Sequence, residues 1–317
     1  MTTEKFAVGV DLGATTVKTG LVAPNGAIVY QNKFPTNGWL GPQAVFAQIK
    51  ISVDDALTHS PSTNISGIGI GAPGVVDNEG SVKSPPNIKD WHSVRLGNEI
   101  HQLFPTLRVE VENDANTAAI AEAKFGAGKQ HPNFLFVIWG TGVGGGIILD
   151  KHLYRGPSGG AGEIGHISVD FNGPECNCGN RGCVEAYVGQ RYLSNRTAQK
   201  LQSHPGSKIL QLAEGNLTKI EPRIISQAAH DGDALAREIL TEAGTLLGVA
   251  LAGVMNTMDL RISIIGGGLS EAGDFVIRAI EESVRARVLK PLQPEIRVLQ
   301  SLLGNNAGIL GAAGLVL

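Results

Sequence analysis

The chain has 317 residues, 42% of them hydrophobic, and a formal net charge of −3 at pH 7. That length and apolar content are enough for one large or two ordinary domains with a sizeable core. The lack of a basic excess argues against a nucleic-acid partner. The N-terminus lacks the layout of a signal peptide, and the longest apolar stretches, 246–255 and 307–317, are too short to span a bilayer. We therefore expect a cytoplasmic protein with no membrane partner.

The first predicted elements are typical of an α/β fold. Apolar runs at 6–11 and 17–22 flank a Gly/Thr turn and predict a β-hairpin, whose turn offers backbone N–H groups and hydroxyls to an anion. The turn is not a Walker A loop, because G-x-x-x-x-G-K-[ST] is absent and no helix follows. Apolar residues spaced by four predict a helix over 42–58, and residues 65–74 predict a buried strand that ends in a Pro-Gly turn.

An acidic residue follows the next predicted strand, at 107–111. The sequence Glu-Asn-Asp-Ala-Asn leads from this strand into a helix predicted over 117–125, and it contains Asp114. The end of a strand is where an α/β protein places chemistry, so Asp114 is a candidate catalytic acid or base. A helix N-cap is the alternative role for this residue.

Residues 134–150 repeat the strand, Gly/Thr turn and strand of residues 6–22, which argues for two lobes of similar topology. Gly140, Gly142 and Gly145 also match the dinucleotide fingerprint G-x-G-x-x-G. That fingerprint requires a helix after the turn, whereas the sequence here predicts a strand, so we exclude a dinucleotide site.

The C-terminal half is predicted to be mainly helical up to residue 260, with a long helix over 238–258. A strand at 261–265 ends in a triple glycine, which would let a flat ring or a ribose approach the backbone and so predicts an adenosine-binding loop. A helix over 275–288, a strand over 295–302 and an apolar helix over 305–317 complete the chain. The three glycines are Gly266, Gly267 and Gly268.

All three cysteines lie in one short stretch, at Cys176, Cys178 and Cys183, and His166 precedes them by ten residues. Three thiolates and one imidazole form a complete tetrahedral shell for Zn²⁺, and the soft sulfur ligands disfavour Mg²⁺ and Ca²⁺. A disulfide with one unpaired thiol is the alternative, but nothing indicates an oxidising compartment. Because the shell is closed, we expect the zinc to be structural.

Two glutamates flank these ligands, Glu163 and Glu185. A zinc site that fixes His166 and Cys183 would also fix both carboxylates, and would so hold them toward a hydroxyl-rich ligand. The alternative is that both are solvated loop residues, as most glutamates are.

Two motifs in this stretch resemble the ROK family. They are G-x-x-x-G-x-G-E-x-G-H at 156–166 and C-x-C-G-x-x-G-C-x-E at 176–185. The family comprises bacterial sugar kinases, sugar-responsive repressors and the kinase domain of the animal N-acetylmannosamine enzyme. The resemblance implies two α/β lobes of the actin-like ATPase type, with a cleft between them. The N-terminal lobe would span 1–115 plus 305–317, and the C-terminal lobe, 116–304, would carry the zinc.

The resemblance further implies an ATP-dependent hexose kinase in which Asp114 is the general base for the sugar 6-hydroxyl. It places Mg²⁺ near Asp11, held through water, and lets His166 bind zinc with one ring nitrogen and sugar with the other. The implied sugar contacts are Gly74, Asn87, Asn113, Asp114, Glu163, His166 and Glu185. The implied contacts to ATP and Mg²⁺ are Asp11, Gly13, Thr15, Thr16, Lys18, Thr141, Gly142, Gly266, Gly267 and Gly268.

The preferred sugar is the least determined part of this prediction. The loop Ser-Pro-Pro-Asn that contains Asn87 resembles the glucose-phosphorylating members, although Asn87 is equally suited to cap the loop. Residues 172–187 also resemble the N-acetylmannosamine kinases. We expect glucose, with N-acetylmannosamine or N-acetylglucosamine as the alternative.

Three other classes of protein compete with a kinase. A repressor of the family would carry a helix-turn-helix domain before the first hairpin, and we expect none because the first strand begins at Phe6. A non-catalytic sugar-binding protein would lack the acid at position 114, and a dehydrogenase would need the missing helix after residue 145. The resemblance also suggests a homodimer or homotetramer.

Overall fold

The structure is a computed structural model that describes residues 4–83, 85 and 88–317. Its strands are β1 (Phe6–Leu12), β2 (Thr16–Val22), β3 (Ile28–Pro35), β4 (Ile65–Ala72), β5 (Val75–Val76), β6 (Val82–Lys83), β7 (Ser93–Val94), β8 (Val109–Asn113), β9 (Phe134–Trp139), β10 (Val143–Leu149), β11 (His152–Tyr154), β12 (Ile262–Gly266) and β13 (Arg297–Gln300). Its α-helices are α1 (Pro42–Thr58), α2 (Leu96–Leu103), α3 (Asp114–Phe125), α4 (Glu185–Val188), α5 (Gln190–Leu201), α6 (Lys208–Leu212), α7 (Pro222–His230), α8 (Ala234–Met258), α9 (Asp274–Arg285) and α10 (Ala307–Gly314).

The chain folds into two compact units, and each is described separately. Unit 1 contains the chain up to Pro132 together with Gly146–Gly162 and Asn305–Leu317, and unit 2 contains Asn133–Gly145 and Glu163–Gly304. The N-terminal lobe that we predicted, 1–115 plus 305–317, is smaller than unit 1. Residues 116–132 and 146–162 belong to unit 1 because α3 packs on α10 and on β11.

Unit 1 is built on a five-stranded sheet in the order β3-β2-β1-β4-β8. The predicted hairpin is confirmed, since β1 and β2 pair antiparallel, while β4 runs parallel to both β1 and β8. Helix α1 has the bounds that the four-residue spacing predicts, and it buries Val45, Ile49 and Val53 completely. The parallel order brings the carboxyl ends of β1, β4 and β8 to one edge of the sheet.

Helix α10 packs unusually close to the unit 1 sheet. A Cβ atom built on Gly69 of β4 would lie 1.7 Å from the carbonyl oxygen of Ala312. On its other side, a Cβ on Gly311 would lie 1.8 Å from the carbonyl oxygen of Thr117 in α3. Glycine is therefore required at both positions by backbone-to-backbone contact, and α10 is held between the sheet and α3.

Unit 2 contains three parallel strands, with β12 paired to β9 on one side and to β13 on the other. Helix α8 packs against α7 and α9. It begins at Ala234, four residues before the predicted start, because the Asp233 carboxylate caps it by accepting the Ala236 N–H at 2.8 Å. Strand β10 begins in unit 2 and ends in unit 1, where it pairs antiparallel with β11.

One helix of the described residues, α8, is long and apolar enough to cross a membrane by length and composition alone. The apolar stretch at 246–255, predicted to be too short to span a bilayer, is part of this longer helix. The most apolar window of α8 is 56% buried within the protein, as expected for the core helix of a globular unit.

Candidate active site

The turn from β8 into α3 presents Asp114. Asn113 is the N-cap of α3, with Oδ1 accepting the backbone N–H groups of Ala115 and Asn116 at 2.9 and 3.1 Å. Asp114 is the first residue of the helix and is exposed, and its Oδ1 accepts the Ala115 N–H at 2.8 Å. The N-cap role that we considered for Asp114 therefore belongs to Asn113, and α3 begins three residues earlier than predicted.

The predicted sugar contacts of unit 1 are joined by a hydrogen bond. The Nδ2 group of Asn113 donates to the carbonyl oxygen of Gly74 at 2.9 Å. An amide group has two N–H donors, so one of them is left for a ligand hydroxyl. Gly74 has a φ of +92°, and a Cβ there would lie 2.8 Å from the Lys83 carbonyl oxygen. The predicted contact Asn87 lies outside the described residues.

The predicted phosphate contacts of unit 1 lie in the β1–β2 turn. The turn is closed by the Gly13 N–H, which donates to the Thr16 carbonyl oxygen at 2.9 Å, and Thr15 between them is exposed. Lys18, predicted as an ATP contact, forms an ion pair with Asp11 at 3.1 Å, and its contact with ATP stays a prediction. The carboxylate predicted to hold Mg²⁺ through water thus has a cationic partner in this conformation.

The second Gly/Thr turn, between β9 and β10, is bound by Glu185. The Oε2 atom of Glu185 accepts the Val143 N–H at 2.8 Å. A Cβ on Gly142 would lie 2.4 Å from the same oxygen, so the carboxylate packs directly on the glycine backbone. Glu185, predicted as a sugar contact, therefore uses one carboxylate oxygen to fix the predicted phosphate turn, which includes the exposed Thr141.

The three cysteines and His166 converge in unit 2. Their candidate ligand atoms all lie within 4.8 Å of one another. The distances from Cys176 Sγ to His166 Nδ1 and from Cys178 Sγ to Cys183 Sγ are both 3.7 Å. A tetrahedral zinc with bonds of 2.0–2.3 Å would space its ligands by about 3.5–3.8 Å, so these two separations and the chemical type of the four donors suit Zn²⁺.

The two ring nitrogens of His166 face different groups. Nδ1 faces Cys176, whereas Nε2 lies 3.9 Å from the Oε2 atom of Glu163. The ring can therefore offer Nδ1 to a metal while Nε2 faces an exposed carboxylate. This is the arrangement that the predicted double role of His166 requires, and the role itself stays a prediction.

The thiols differ in their tendency to ionise. Burial raises the pKa of the Cys183 thiol to about 12 and also raises the pKa of Cys176. At Cys178, which is exposed, the donated backbone N–H of Asn180 lowers the pKa. The two buried thiols would thus keep their protons at neutral pH without a cation, and a bound Zn²⁺ would displace those protons.

A pocket in unit 2 contains residues that the sequence analysis missed. Gly140, Thr141 and Gly268 line it together with one face of α7 and the adjoining turns. Of the triple glycine only Gly268 is open, because Gly266 abuts the Phe136 ring and a Cβ on Gly267 would lie 2.3 Å from the Trp139 carbonyl oxygen. The other lining residues carry no motif and are Gln190, Glu221, Pro222, Arg223, Ser226, Gln227, His230, Leu269 and Glu271.

Comparisons with known proteins agree with this architecture. The ROK family profile matches residues 7–317. A glucokinase of Streptomyces coelicolor is 38% identical, covering 98% of this chain and 97% of the relative. A xylose repressor of Bacillus subtilis is 32% identical, covering 98% of this chain and 77% of the repressor. The crystal structure of a ROK family glucokinase from Streptomyces griseus with glucose and AMPPNP has a TM-score of 0.85 and 36% identity, covering 98% and 99%.

The two five-stranded sheets, their glycine-rich hairpins and the acidic residue after β8 define an α/β protein with the fold of actin-like ATPase-type kinases. Within that class, the profile match over nearly the whole chain and the relatives above 30% identity are decisive. The chain belongs to the ROK family.

Proposed function

We propose that the protein is an ATP-dependent hexose kinase that transfers the γ-phosphate of ATP to the 6-hydroxyl of glucose, and therefore acts as a glucokinase. The observation that carries this proposal is the exposed carboxylate of Asp114, held on the first residue of α3 at the carboxyl end of a parallel strand. The glucokinase relatives at 33–38% identity support the choice of reaction.

Asp114 would accept the proton of the 6-hydroxyl as that oxygen bonds to the γ-phosphorus and the bond from this phosphorus to the bridging oxygen breaks, so that ADP leaves. Phosphoryl transfer asks little covalent chemistry of the protein and depends mainly on alignment and charge neutralisation. We assign the remaining sugar hydroxyls to the spare N–H of Asn113, the Nε2 group of His166 and the carboxylates of Glu163 and Glu185.

We assign the ATP contacts to the two glycine-rich turns and the unit 2 pocket. Gly13, Thr15, Thr16, Thr141 and Gly142 would receive the phosphates. Mg²⁺, bound with ATP, would neutralise charge on the transferred group. Asp11 would orient its water ligands after releasing Lys18. The pocket beside Gly268 would take the adenosine, with the polar face of α7 as its wall.

We also propose that Cys176, Cys178, Cys183 and His166 hold a structural Zn²⁺. The donors suit the ion in chemical type and in two separations of 3.7 Å, and all four positions would be filled by protein atoms. The site would fix the segment between Glu163 and Glu185. It would take no part in the chemical step, because it offers substrate no open position. A homo-oligomer remains a prediction from the family.

Two alternatives stay within the family. An N-acetylmannosamine or N-acetylglucosamine kinase would use the same base, and its substrate would differ from glucose at the 2-position. A sugar-responsive repressor is favoured by the 32% identity to the xylose repressor of Bacillus subtilis, a relative of which this chain covers 77%.

A coupled assay of ATP consumption over glucose, other hexoses, N-acetylmannosamine and N-acetylglucosamine tests the proposal. We expect the highest kcat/KM for glucose. An acetylated sugar that exceeds glucose tenfold, about 1.4 kcal/mol of transition-state discrimination, would refute the choice of glucose while leaving the kinase. Sugar binding without any ATP consumption across the panel would favour the repressor.

A further inference from the structure

Next to the proposed base lies a buried carboxylate with no role in the site described so far. Glu112, the penultimate residue of β8, is only 2% exposed. Its Oε1 atom accepts the Asn113 backbone N–H at 2.8 Å and the Asn116 side-chain N–H at 3.0 Å. Its Oε2 atom accepts from Arg155 Nε at 2.5 Å. Burying a carboxylate without such partners costs free energy, so the hydrogen bonds and the arginine are what allow a charge at this position.

Arg155 starts a loop, 155–162, that leads to Glu163. Its carbonyl oxygen accepts the Ala161 N–H at 3.1 Å, which closes the loop on itself. The loop also contacts the turn after β5, because Asn78 Nδ2 donates to the Pro157 carbonyl oxygen at 3.0 Å. A Cβ on Gly159 would lie 2.4 Å from the Val76 carbonyl oxygen, so the two backbones are in direct contact.

The ion pair thus connects the turn that carries Asn113 and Asp114 to loop 155–162. The same turn is tied to Gly74 by the Asn113 side chain. Three separate segments of unit 1 are therefore linked near one buried carboxylate. The two charged residues of the ion pair, Glu112 and Arg155, are 43 positions apart in the sequence.

We propose that Glu112 and Arg155 form a positioning pair that sets the place of the Asp114 turn relative to loop 155–162. The proposal rests on the proposed kinase function. Neither side chain acts on the reacting atoms. Glu112 orients the Asn113 backbone, and Arg155 fixes the loop to the same carboxylate. A misplacement of about 1 Å in an active site can reduce a rate on the order of 100-fold, so a small shift of this turn would be visible in kinetics.

The simplest alternative is that the pair only compensates a buried charge. The Arg155 side chain is 45% exposed, but its removal would leave the buried Glu112 carboxylate without a charged partner and so destabilise the protein, whereas removing both charges is often neutral. Stability and catalysis can therefore be separated by comparing Arg155→Met with the double variant Glu112→Gln/Arg155→Met. In the double variant, the amide oxygen of the introduced glutamine can still accept the Asn113 N–H, but the link to the loop is lost.

The same strand offers a matched control. Arg108 Nε donates to Glu110 Oε1 at 2.9 Å, and both side chains are exposed. Arg108→Met removes an arginine–glutamate pair that is also made through Nε and is also joined to β8, through Glu110, without leaving a buried charge. We expect it to leave both stability and kinetics close to wild type, because exposed pairs contribute little.

The experiment measures kcat and KM for glucose and for ATP, with the melting temperature, in the full-length protein. We expect Arg155→Met to melt earlier and to lose about 100-fold in kcat/KM for glucose, and Arg155→Lys to recover part of that loss. The double variant should regain the wild-type melting temperature yet remain at least about tenfold impaired, with KM for ATP changed less than about threefold.

Two results would overturn the idea, and they differ. A double variant with wild-type kcat/KM for glucose, alongside an active wild type, would show that the pair only compensates charge. Wild-type protein that consumes no ATP with any sugar of the panel would overturn the proposed function, and the positioning role with it.

Discussion

Glycine at position 142 is predicted to control sugar affinity from the phosphate turn. A Cβ at this position would lie 2.4 Å from Glu185 Oε2, closer than any stable contact. Gly142→Ala must therefore displace the carboxylate, which also ends its hydrogen bond from the Val143 N–H at 2.8 Å. Because Glu185 is one of the proposed sugar contacts, the substitution should weaken sugar binding although residue 142 is itself a proposed phosphate contact.

The size of the effect follows from the bond that is lost. A displaced Glu185 carboxylate would no longer hold its proposed sugar hydroxyl, and a hydrogen bond to a charged group contributes about 1.5–3 kcal/mol. At about 1.4 kcal/mol for each factor of ten, glucose should bind on the order of 10- to 150-fold more weakly to Gly142→Ala. Glu185→Gln should lose less than this, since its amide oxygen can still accept the Val143 N–H.

The assay is calorimetric titration with glucose in the absence of nucleotide. Gly140→Ala is the matched control, because a Cβ at Gly140 meets no atom within 4 Å and lies in the same turn. The control should bind glucose as the wild type does. Equal glucose affinity in Gly142→Ala and Gly140→Ala would refute the link between Glu185 and the turn.

Three further predictions concern the metal, the packing of α10 and the pH dependence of stability. Purified protein should contain about one Zn²⁺ per chain, and Cys183→Ser should lose metal and activity together, whereas active protein without zinc by elemental analysis would contradict the site. Gly311→Ala should lower the free energy of unfolding by about 1–3 kcal/mol through contact with the Thr117 carbonyl oxygen, while Gly253→Ala, on an open face of α8, should raise it by about 0.5–1 kcal/mol in denaturant titrations. Burial acts to raise the pKa of Asp233, but N–H donors from Ala236 and Lys208 and the Ser207 hydroxyl outweigh it and hold that pKa below its usual range. The stability that Asp233 contributes is therefore present above the unfolded-state pKa, about 3.9, and is lost as the pH falls through the lower folded pKa. Asp233→Ala should cost about 1 kcal/mol at pH 7 and reduce this acid-dependent loss, and an unchanged acid unfolding curve would contradict the assignment.

Local patterns predicted most of the fold. Both glycine-interrupted hairpins and both ends of α1 follow from the spacing of apolar residues. That spacing is a local signal, because it can be read within a few residues of each element. The predicted start of α3 was wrong by three residues. Asn113 and Asp114 are both polar and both follow a strand, so the sequence does not indicate which of them is the N-cap. Strand β8 runs on to Asn113 because its register with β4 pairs Glu112 with Gly71 and Asn113 with Ala72, a long-range contact with no local signal.

The candidate site was predictable where a motif concentrates its residues. The Cys/His cluster and Asp114 lie in short diagnostic stretches, and the structure brings the four candidate ligands together. The Glu112–Arg155 pair joins positions 43 residues apart, and α7 contributes ordinary polar side chains to the pocket. Such roles depend on tertiary placement, so no spacing in the sequence indicates them. The triple glycine is the opposite case, in which a visible motif has a packing role. Close contact with Phe136 and Trp139 explains why glycine occupies positions 266 and 267.

The central claim is that Asp114 takes the proton from the sugar, and Asp114→Asn tests it most directly. Asparagine keeps the shape of the side chain and an acceptor oxygen for the Ala115 N–H, but it cannot accept a proton at neutral pH. We predict that kcat with glucose and ATP falls by about 10²–10⁴ while the calorimetric affinity for glucose changes far less. A variant that keeps near wild-type kcat would contradict the account, because Asp114 would then serve only the start of α3.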